Sequence, residues 1–127
     1  MNRVVHFEIH ADDPTRAADF YRNAFGWEIK QWEGQEYWLV TTGPENQPGI
    51  NGGVIKRRLA VNGTSPIIAF VCTIEVPAID EYTAKIISFG GTVVVPKRAI
   101  PGVGWLTYFK DTEQNVFGVT QNDPGAH

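Results

Sequence analysis

The sequence predicts an α+β fold built from two βαβββ modules. Strand-type alternation and helix-type apolar spacing follow one another in the same order twice within 127 residues. Phe25-Gly26 and Phe89-Gly90 occupy the same place in the two halves. Residues 61–66 between them are rich in Gly, Asn, Ser and Pro, as connections are. We expect a single domain over residues 1–127, with module one over about 1–60, a linker over 61–66 and module two over 67–122.

The first module opens with alternating residues from Val4 to His10, which predict a strand. Asp13 followed by Pro14 predicts a helix start, because the carboxylate accepts an orphan N–H and Pro lacks one. Gly26 offers the left-handed position that ends many helices. Three strands are predicted after it, over residues 27–32, 37–42 and 53–57.

The second module repeats this order. A strand over residues 67–75 carries an apolar face of Ile68, Phe70, Cys72 and Ile74, so Cys72 is expected in the core. Pro77 predicts a helix start, and the helix presents one apolar stripe. The stripe consists of Ile79, Tyr82, Ile86 and Phe89. Strands are predicted over residues 92–96, 105–110 and 115–121.

Composition excludes several classes of function. The formal net charge is −3 and no stripe of Lys and Arg is present, so no nucleic-acid partner is expected; Lys56-Arg57-Arg58 is interpreted as a solvated strand end. No apolar run approaches the ~20 residues of a membrane span, and no export signal precedes the first strand. One cysteine excludes an intrachain disulfide. We expect a cytoplasmic protein with a small-molecule partner.

The first strand carries the candidate chemistry. Successive side chains of a strand point to opposite faces, so His6, Glu8 and His10 share one face while Phe7 and Ile9 share the other. His6 and Glu8 are therefore the candidate catalytic residues. His10, at the end of the strand, is a candidate ligand-binding residue.

Three interpretations of this face remain open. His6 and Glu8 could hold one divalent metal ion, because ligands two residues apart on a strand can chelate it. They could instead form a metal-free site in which Glu8 exchanges a proton with a substrate or both residues bind a ligand. In the third interpretation His6 and Glu8 only satisfy each other or nearby backbone groups.

Aromatic residues are the second set of candidates. Tyr37, Trp38 and Trp105 fall in predicted strands, where bulky rings on a concave face would select flat, apolar ligands. Gly102 and Gly104 flank the position of Trp105 and free the backbone for a tight or mobile approach. These three aromatic residues and His10 are the predicted substrate-binding set.

Several strings of residues resemble the vicinal oxygen chelate superfamily, which contains glyoxalase I, bleomycin-resistance proteins and extradiol dioxygenases. They are His6-Phe7-Glu8-Ile9, the stretch from Asp13 to Tyr21 leading to Phe25-Gly26-Trp27, Pro101 to Trp105, and Asp111 to Gly118. The resemblance implies two βαβββ modules that form a half-open barrel with the active site inside. It also implies a homodimer and a metal held by four side chains.

The chain departs from that ligand pattern. Only His6 matches a ligand position, since no Asp, Glu or His lies between Asn46 and Ile74, and Gly118 stands nearest the final glutamate of the family. Glyoxalase I activity itself is not expected. Two classes of function remain: a lyase or dioxygenase-like enzyme acting on a small oxygenated or aromatic metabolite, and a non-catalytic binding protein of the bleomycin-resistance type.

Overall fold

A computed structural model describes residues 2–58 and 66–127. The chain forms two compact units, and each is described by itself. The N-terminal unit is His6–Phe70, and the C-terminal unit comprises residues 2–5 and 71–127. Most of the predicted linker, residues 61–65, lies outside the described residues.

The element order confirms two successive βαβββ modules and the α+β class. The strands and helices of the first module are β1 (Val4–Ala11), α1 (Pro14–Phe25), β2 (Glu28–Gln31), β3 (Tyr37–Thr41) and β4 (Asn51–Lys56). Those of the second are β5 (Phe70–Glu75), α2 (Ile79–Ser88), β6 (Thr92–Ile100), β7 (Gly104–Lys110) and β8 (Val116–Asn122).

The sheet of the N-terminal unit has the strand order β2-β3-β4-β1. Residues 6–11 of β1 pair in parallel with β4, whereas β2, β3 and β4 pair antiparallel. Helix α1 covers one face, where Phe7, Ile9, Val40, Val54 and Ala18 form the centre of the core. The apolar half of β1 therefore packs under the helix, and its polar half faces away from this core.

Both ends of α1 form as predicted. Asp13 Oδ1 accepts a hydrogen bond from Arg16 N at 3.1 Å, and Pro14 occupies the first turn. Gly26 has a φ of +73° and its N–H donates to Arg22 O at 2.9 Å. Cβ sterics make this conformation costly for other residues, so the helix ends where the glycine stands.

The sheet of the C-terminal unit has the order β5-β8-β7-β6, with β5 and β8 parallel and the other pairs antiparallel. Its core centres on Val76, Ile79 and Val119, with Tyr82 and Ile86 of α2 packed against them. Two residues from the N-terminal segment of this unit make hydrogen bonds here: Arg3 O accepts from Glu75 N at 3.1 Å, and Asn2 Nδ2 donates to Tyr82 Oη at 3.1 Å.

Three sequence expectations for this region are wrong. Cys72 is exposed, because the buried side chains of β5 are Val71 and Thr73, on the opposite parity from the predicted apolar face. Phe89 is 77% exposed, because α2 ends at Ser88 and Phe89 is its C-cap. Helix α2 also begins at Ile79, two residues after Pro77. No helix within residues 2–58 and 66–127 is long and apolar enough to cross a membrane.

Candidate functional site

The polar face of β1 lies opposite the helix-covered core of the N-terminal unit. Along the parallel pairing, Glu8 stands beside Gly53 of β4, and His10 stands beside Ile55. On the next strand, Tyr37 stands beside Ile55 and Leu39 beside Gly53. Alternation therefore places Tyr37 on the same sheet face as His6, Glu8 and His10.

Tyr37 joins two of the predicted site residues. Its hydroxyl lies 2.7 Å from His6 Nε2, and the Tyr37 and His6 rings are stacked with centroids 6.5 Å apart. The same hydroxyl is hydrogen-bonded to the Glu8 carboxylate. Since an ionised carboxylate only accepts and a phenol carries one proton, Tyr37 donates to Glu8 and accepts from His6 Nε2–H. This fixes His6 as the Nε2–H tautomer.

Gly53 makes that arrangement possible. A Cβ added at Gly53 would overlap the Cζ and hydroxyl oxygen of Tyr37, so the ring lies directly on the β4 backbone. A glycine inside a strand often marks such a close approach. Gly53, a glycine inside a strand, was thus a sequence signal of a close approach at this position, although not of which side chain makes it.

Burial keeps the groups around Glu8 uncharged. Desolvation raises the pKa of Tyr37 far above its usual 10.0, and the charge and hydrogen bond of Glu8 raise it further. Desolvation lowers the pKa of His6 below its usual 6.5, although Glu8 partly opposes this. The site therefore holds a carboxylate, 6% exposed, beside a phenol and a neutral imidazole.

His10 differs from His6 in its hydrogen bonding. The residue is 7% exposed, and neither ring nitrogen has a hydrogen-bond partner among the described residues. An unmet buried polar group costs about 1–3 kcal/mol, so this imidazole is held at a cost to stability. Desolvation lowers its pKa, with Glu8 opposing and Arg58 and Arg57 reinforcing the shift.

Arg57 binds to residues at the C-terminal end of β1 and just after it. Its Nη1 pairs with Asp12 Oδ1 at 2.6 Å, its Nη2 donates to His10 O at 2.8 Å, and its Nε donates to Ile67 O at 2.8 Å. The interpretation of this residue as part of a solvated strand end is wrong, because the guanidinium is bound on three sides. The backbone of His10 is thereby held in place.

Two predicted ligand-binding residues lie elsewhere. Trp38 packs against the helix-side core of the N-terminal unit, on the opposite face from Tyr37. Trp105 belongs to the C-terminal unit, where it packs against Val76, Ile79 and Val119. Its Nε1 donates to Asp123 Oδ2 at 2.9 Å, and Lys97 Nζ lies 5.1 Å from the ring centroid.

His6 and Glu8 do not fit a metal centre held by four side chains. His6 Nε2 and the Glu8 carboxylate are both engaged by the Tyr37 hydroxyl. In the part of the chain that the structure describes, no group of three or more His, Cys, Asp or Glu side chains is placed to hold an ion. The arrangement instead supplies a buried carboxylate, a phenol donor and an imidazole with unused hydrogen-bonding capacity.

Comparison with known proteins identifies related sequence and fold. Residues 3–43 match the family described as bleomycin resistance protein-like N-terminal. That range contains β1, α1, β2 and β3, and so includes His6, Glu8, His10 and Tyr37. A search of curated protein sequences finds no match.

Three solved structures share the fold at low sequence identity. A variant of Streptomyces coelicolor methylmalonyl-CoA epimerase in complex with 2-nitronate-propionyl-CoA has a TM-score of 0.63 at 16% identity, covering 100% of this chain and 99% of its own. Methylmalonyl-CoA epimerase from Mycobacterium tuberculosis has a TM-score of 0.64 at 14% identity, covering 95% and 88%. A Legionella pneumophila structure named NAD-dependent benzaldehyde dehydrogenase has a TM-score of 0.65 at 10% identity, covering 93% and 98%.

Proposed function

We propose that this protein, a vicinal oxygen chelate superfamily member by its fold, is a metal-independent enzyme. In this proposal it binds a small oxygenated metabolite at the polar face of β1, and Glu8 removes and returns a proton. The observation that carries the proposal is the buried Glu8 carboxylate, hydrogen-bonded to Tyr37, whose hydroxyl is itself 2.7 Å from His6 Nε2.

This arrangement suits a general base. Burying a carboxylate is costly, and a protein that retains one usually pairs or uses it. Tyr37 holds the carboxylate in one orientation without giving up its own proton, because desolvation keeps its pKa far above neutral pH. His6 fixes the Tyr37 hydroxyl in turn. A carboxylate so positioned requires no reorganisation before it meets a substrate C–H.

The structural relatives favour the same class of reaction. Two of those described above are named methylmalonyl-CoA epimerase, and an epimerase inverts a single stereocentre. Inversion beside a carbonyl group proceeds by loss and return of one proton. We therefore place small carbonyl compounds with an acidic neighbouring C–H first among candidate substrates.

The test measures proton exchange directly, so it needs no known product. The protein would be incubated in D₂O with methylmalonyl-CoA, methylglyoxal, dihydroxyacetone and 2-oxobutyrate, and deuterium incorporation would be followed by NMR. We expect Glu8→Gln to slow exchange of the accepted compound by at least about 100-fold while its affinity is retained. Prior treatment with EDTA is expected to leave the rate unchanged.

Glu33→Gln is the matched control, since Glu33 is an exposed carboxylate of the same unit. It should exchange at the rate of the unsubstituted protein. An unchanged exchange rate in Glu8→Gln, or a rate abolished by EDTA and restored by a divalent ion, would contradict the proposal.

A second function, non-catalytic capture of a small molecule, is favoured by one observation. The bleomycin resistance protein-like match covers residues 3–43 and so contains every residue of the site on β1 and β3. A binding protein would take up one of the test compounds, or an aromatic antibiotic, without exchanging any proton. Calorimetric titration alongside the NMR measurement distinguishes the two functions.

A further inference from the structure

His10 is set apart from the other imidazoles by its unused hydrogen-bonding capacity. His6 is bonded to Tyr37, and His127 Nδ1 lies 2.9 Å from Gly125 O at the exposed C-terminus. His10 is buried, and both of its ring nitrogens are without a partner within residues 2–58 and 66–127. Buried polar groups are usually hydrogen-bonded, so we take a ligand as the partner of this ring.

The position of His10 relative to Glu8 is defined by the strand. The two residues are separated by one residue on β1 and share a face, which places their Cα atoms roughly 6.6 Å apart. A carbonyl group and its neighbouring carbon fit this spacing. When the C–H lies at the Glu8 carboxylate, the carbonyl oxygen points along the strand towards His10.

Two kinds of charge act on His10. Glu8 favours the charged imidazole, whereas Arg58 and Arg57, which directly follow β4, oppose it. Their positive charge and burial both favour the neutral ring, which has one N–H to donate. A neutral imidazole that donates without transferring its proton can stabilise an oxyanion.

We infer that His10 donates a hydrogen bond to the carbonyl oxygen of the substrate and holds the enolate that forms when Glu8 removes the adjacent proton. In this step the C–H electron pair becomes the new C=C bond. The C=O π pair moves onto oxygen, and the proton resides on Glu8. Reversal returns the proton to carbon, so no oxidant or reductant is required. The substrate class is a ketone, an aldehyde or a thioester with an acidic neighbouring C–H. This inference rests on the proposed function.

The test compares three substitutions at one position, with the exchange assay on whichever of the four compounds the unsubstituted protein accepts. His10→Phe keeps a planar ring but removes the donor, and we expect its turnover to fall about 100-fold with less than a threefold change in KM. His10→Gln and His10→Asn carry an amide N–H, and at least one should recover tenfold or more of that loss. Recovery by an amide would not follow from a purely structural role.

Thr107→Val is the matched control. Thr107 Oγ1 is also buried and without a partner among the described residues, but it belongs to β7 in the C-terminal unit. Its loss is expected to leave exchange unchanged, and circular dichroism would verify folding of all the variants. Full exchange in folded His10→Phe, with exchange still lost in Glu8→Gln, overturns the role of His10 alone. Unchanged exchange in Glu8→Gln overturns the proposed function itself.

Discussion

Gly53 determines whether the Tyr37 ring can reach β1. The Tyr37 ring packs directly against the Gly53 backbone, and an added methyl group at Gly53 would overlap the ring. The strand register explains why this could not be predicted from sequence. Alternation places His6 and Glu8 on one face of β1, but the strand register decides whether Tyr37 shares that face, and the residue beneath its ring decides whether it can reach across β4.

We predict that Gly53→Ala lowers the free energy of unfolding by about 1–3 kcal/mol, because the Tyr37 ring must move and lose its hydrogen bonds to His6 and Glu8. Urea denaturation measures this change. Gly43→Ala is the control, since an added Cβ there meets nothing within 4 Å. Equal stabilities for the two variants would contradict the packing described for Tyr37.

Thr107 provides a separate test of how much a buried polar group without a hydrogen-bond partner lowers the free energy of unfolding. Val has nearly the shape of Thr, so Thr107→Val removes a buried hydroxyl without a partner among the described residues and leaves the packing in place. We expect the free energy of unfolding to rise by about 1 kcal/mol. The change would be read from the midpoint of thermal or urea unfolding. A clear loss of stability would mean that this hydroxyl is satisfied in solution.

Among the elements, α1 and α2 show where sequence signals are sufficient. The Asp-Pro start and glycine end of α1 are local, and both form as predicted. Helix α2 has no side-chain hydrogen bond at its N-cap, Ala78; instead Ile79 N donates to Gln121 Oε1 of β8 at 2.8 Å. Because that acceptor lies 42 residues away in sequence, the true start of α2 could not be read from neighbouring residues.

We predict that Asp13→Ala costs about 1 kcal/mol of stability, since it removes the acceptor of the Arg16 N–H. Urea denaturation is the measurement. Asp19→Ala, on the same helix, removes only an exposed ion pair with Arg22 and should cost less than about 0.5 kcal/mol. A loss of stability in Asp13→Ala that is no larger than the loss in Asp19→Ala would show that the cap contributes little to α1.

Strand β5, unlike helix α1, was predicted wrongly from its local sequence pattern. The apolar residues Ile68, Phe70, Cys72 and Ile74 predict one buried face here, yet Cys72 is exposed, and Ile68, which precedes β5, is 83% exposed. The buried parity is that of Val71 and Thr73. When both faces of a strand carry apolar residues, alternation does not distinguish them, and long-range pairing decides which face is covered.

At the scale of the whole molecule, the sequence was sufficient to predict the fold class and to place three of the candidate site residues on one face of a strand. The repeated order of elements predicted the class, and period-two alternation brought His6, Glu8 and His10 to one face. The aromatic candidates were less predictable. Tyr37 joins that face, whereas Trp38 and Trp105 pack on helix-side cores, because composition does not say which face of a strand a ring occupies.

The two buried imidazoles predict how stability depends on pH. Burial lowers the pKa of His6 and His10 below 6.5, so near and below this pH the unfolded chain binds more protons than the folded one. Their contribution to stability is present above that pH and is lost as the pH falls. We therefore expect the free energy of unfolding to decrease between about pH 7.5 and about pH 5.5, a range above the titration of ordinary carboxyls.

Urea denaturation at both pH values checks this expectation. The double variant His6→Gln, His10→Gln should show a shallower dependence, and His127→Gln, at an exposed terminal residue, should match the unsubstituted protein. Stability that increases on acidification would show that these imidazoles are protonated in the folded state.

The exposed Cys72 has a practical consequence for the expected homodimer. It is the chain's one cysteine, so two copies in air-oxidised buffer can join through a single S–S bond and imitate an assembled pair. Mass measurements therefore need a reductant or the Cys72→Ser variant, and a dimer that survives both is held by its surfaces. The same thiol can also react with one maleimide dye per chain, so the unsubstituted protein can be labelled at one known position for single-molecule fluorescence.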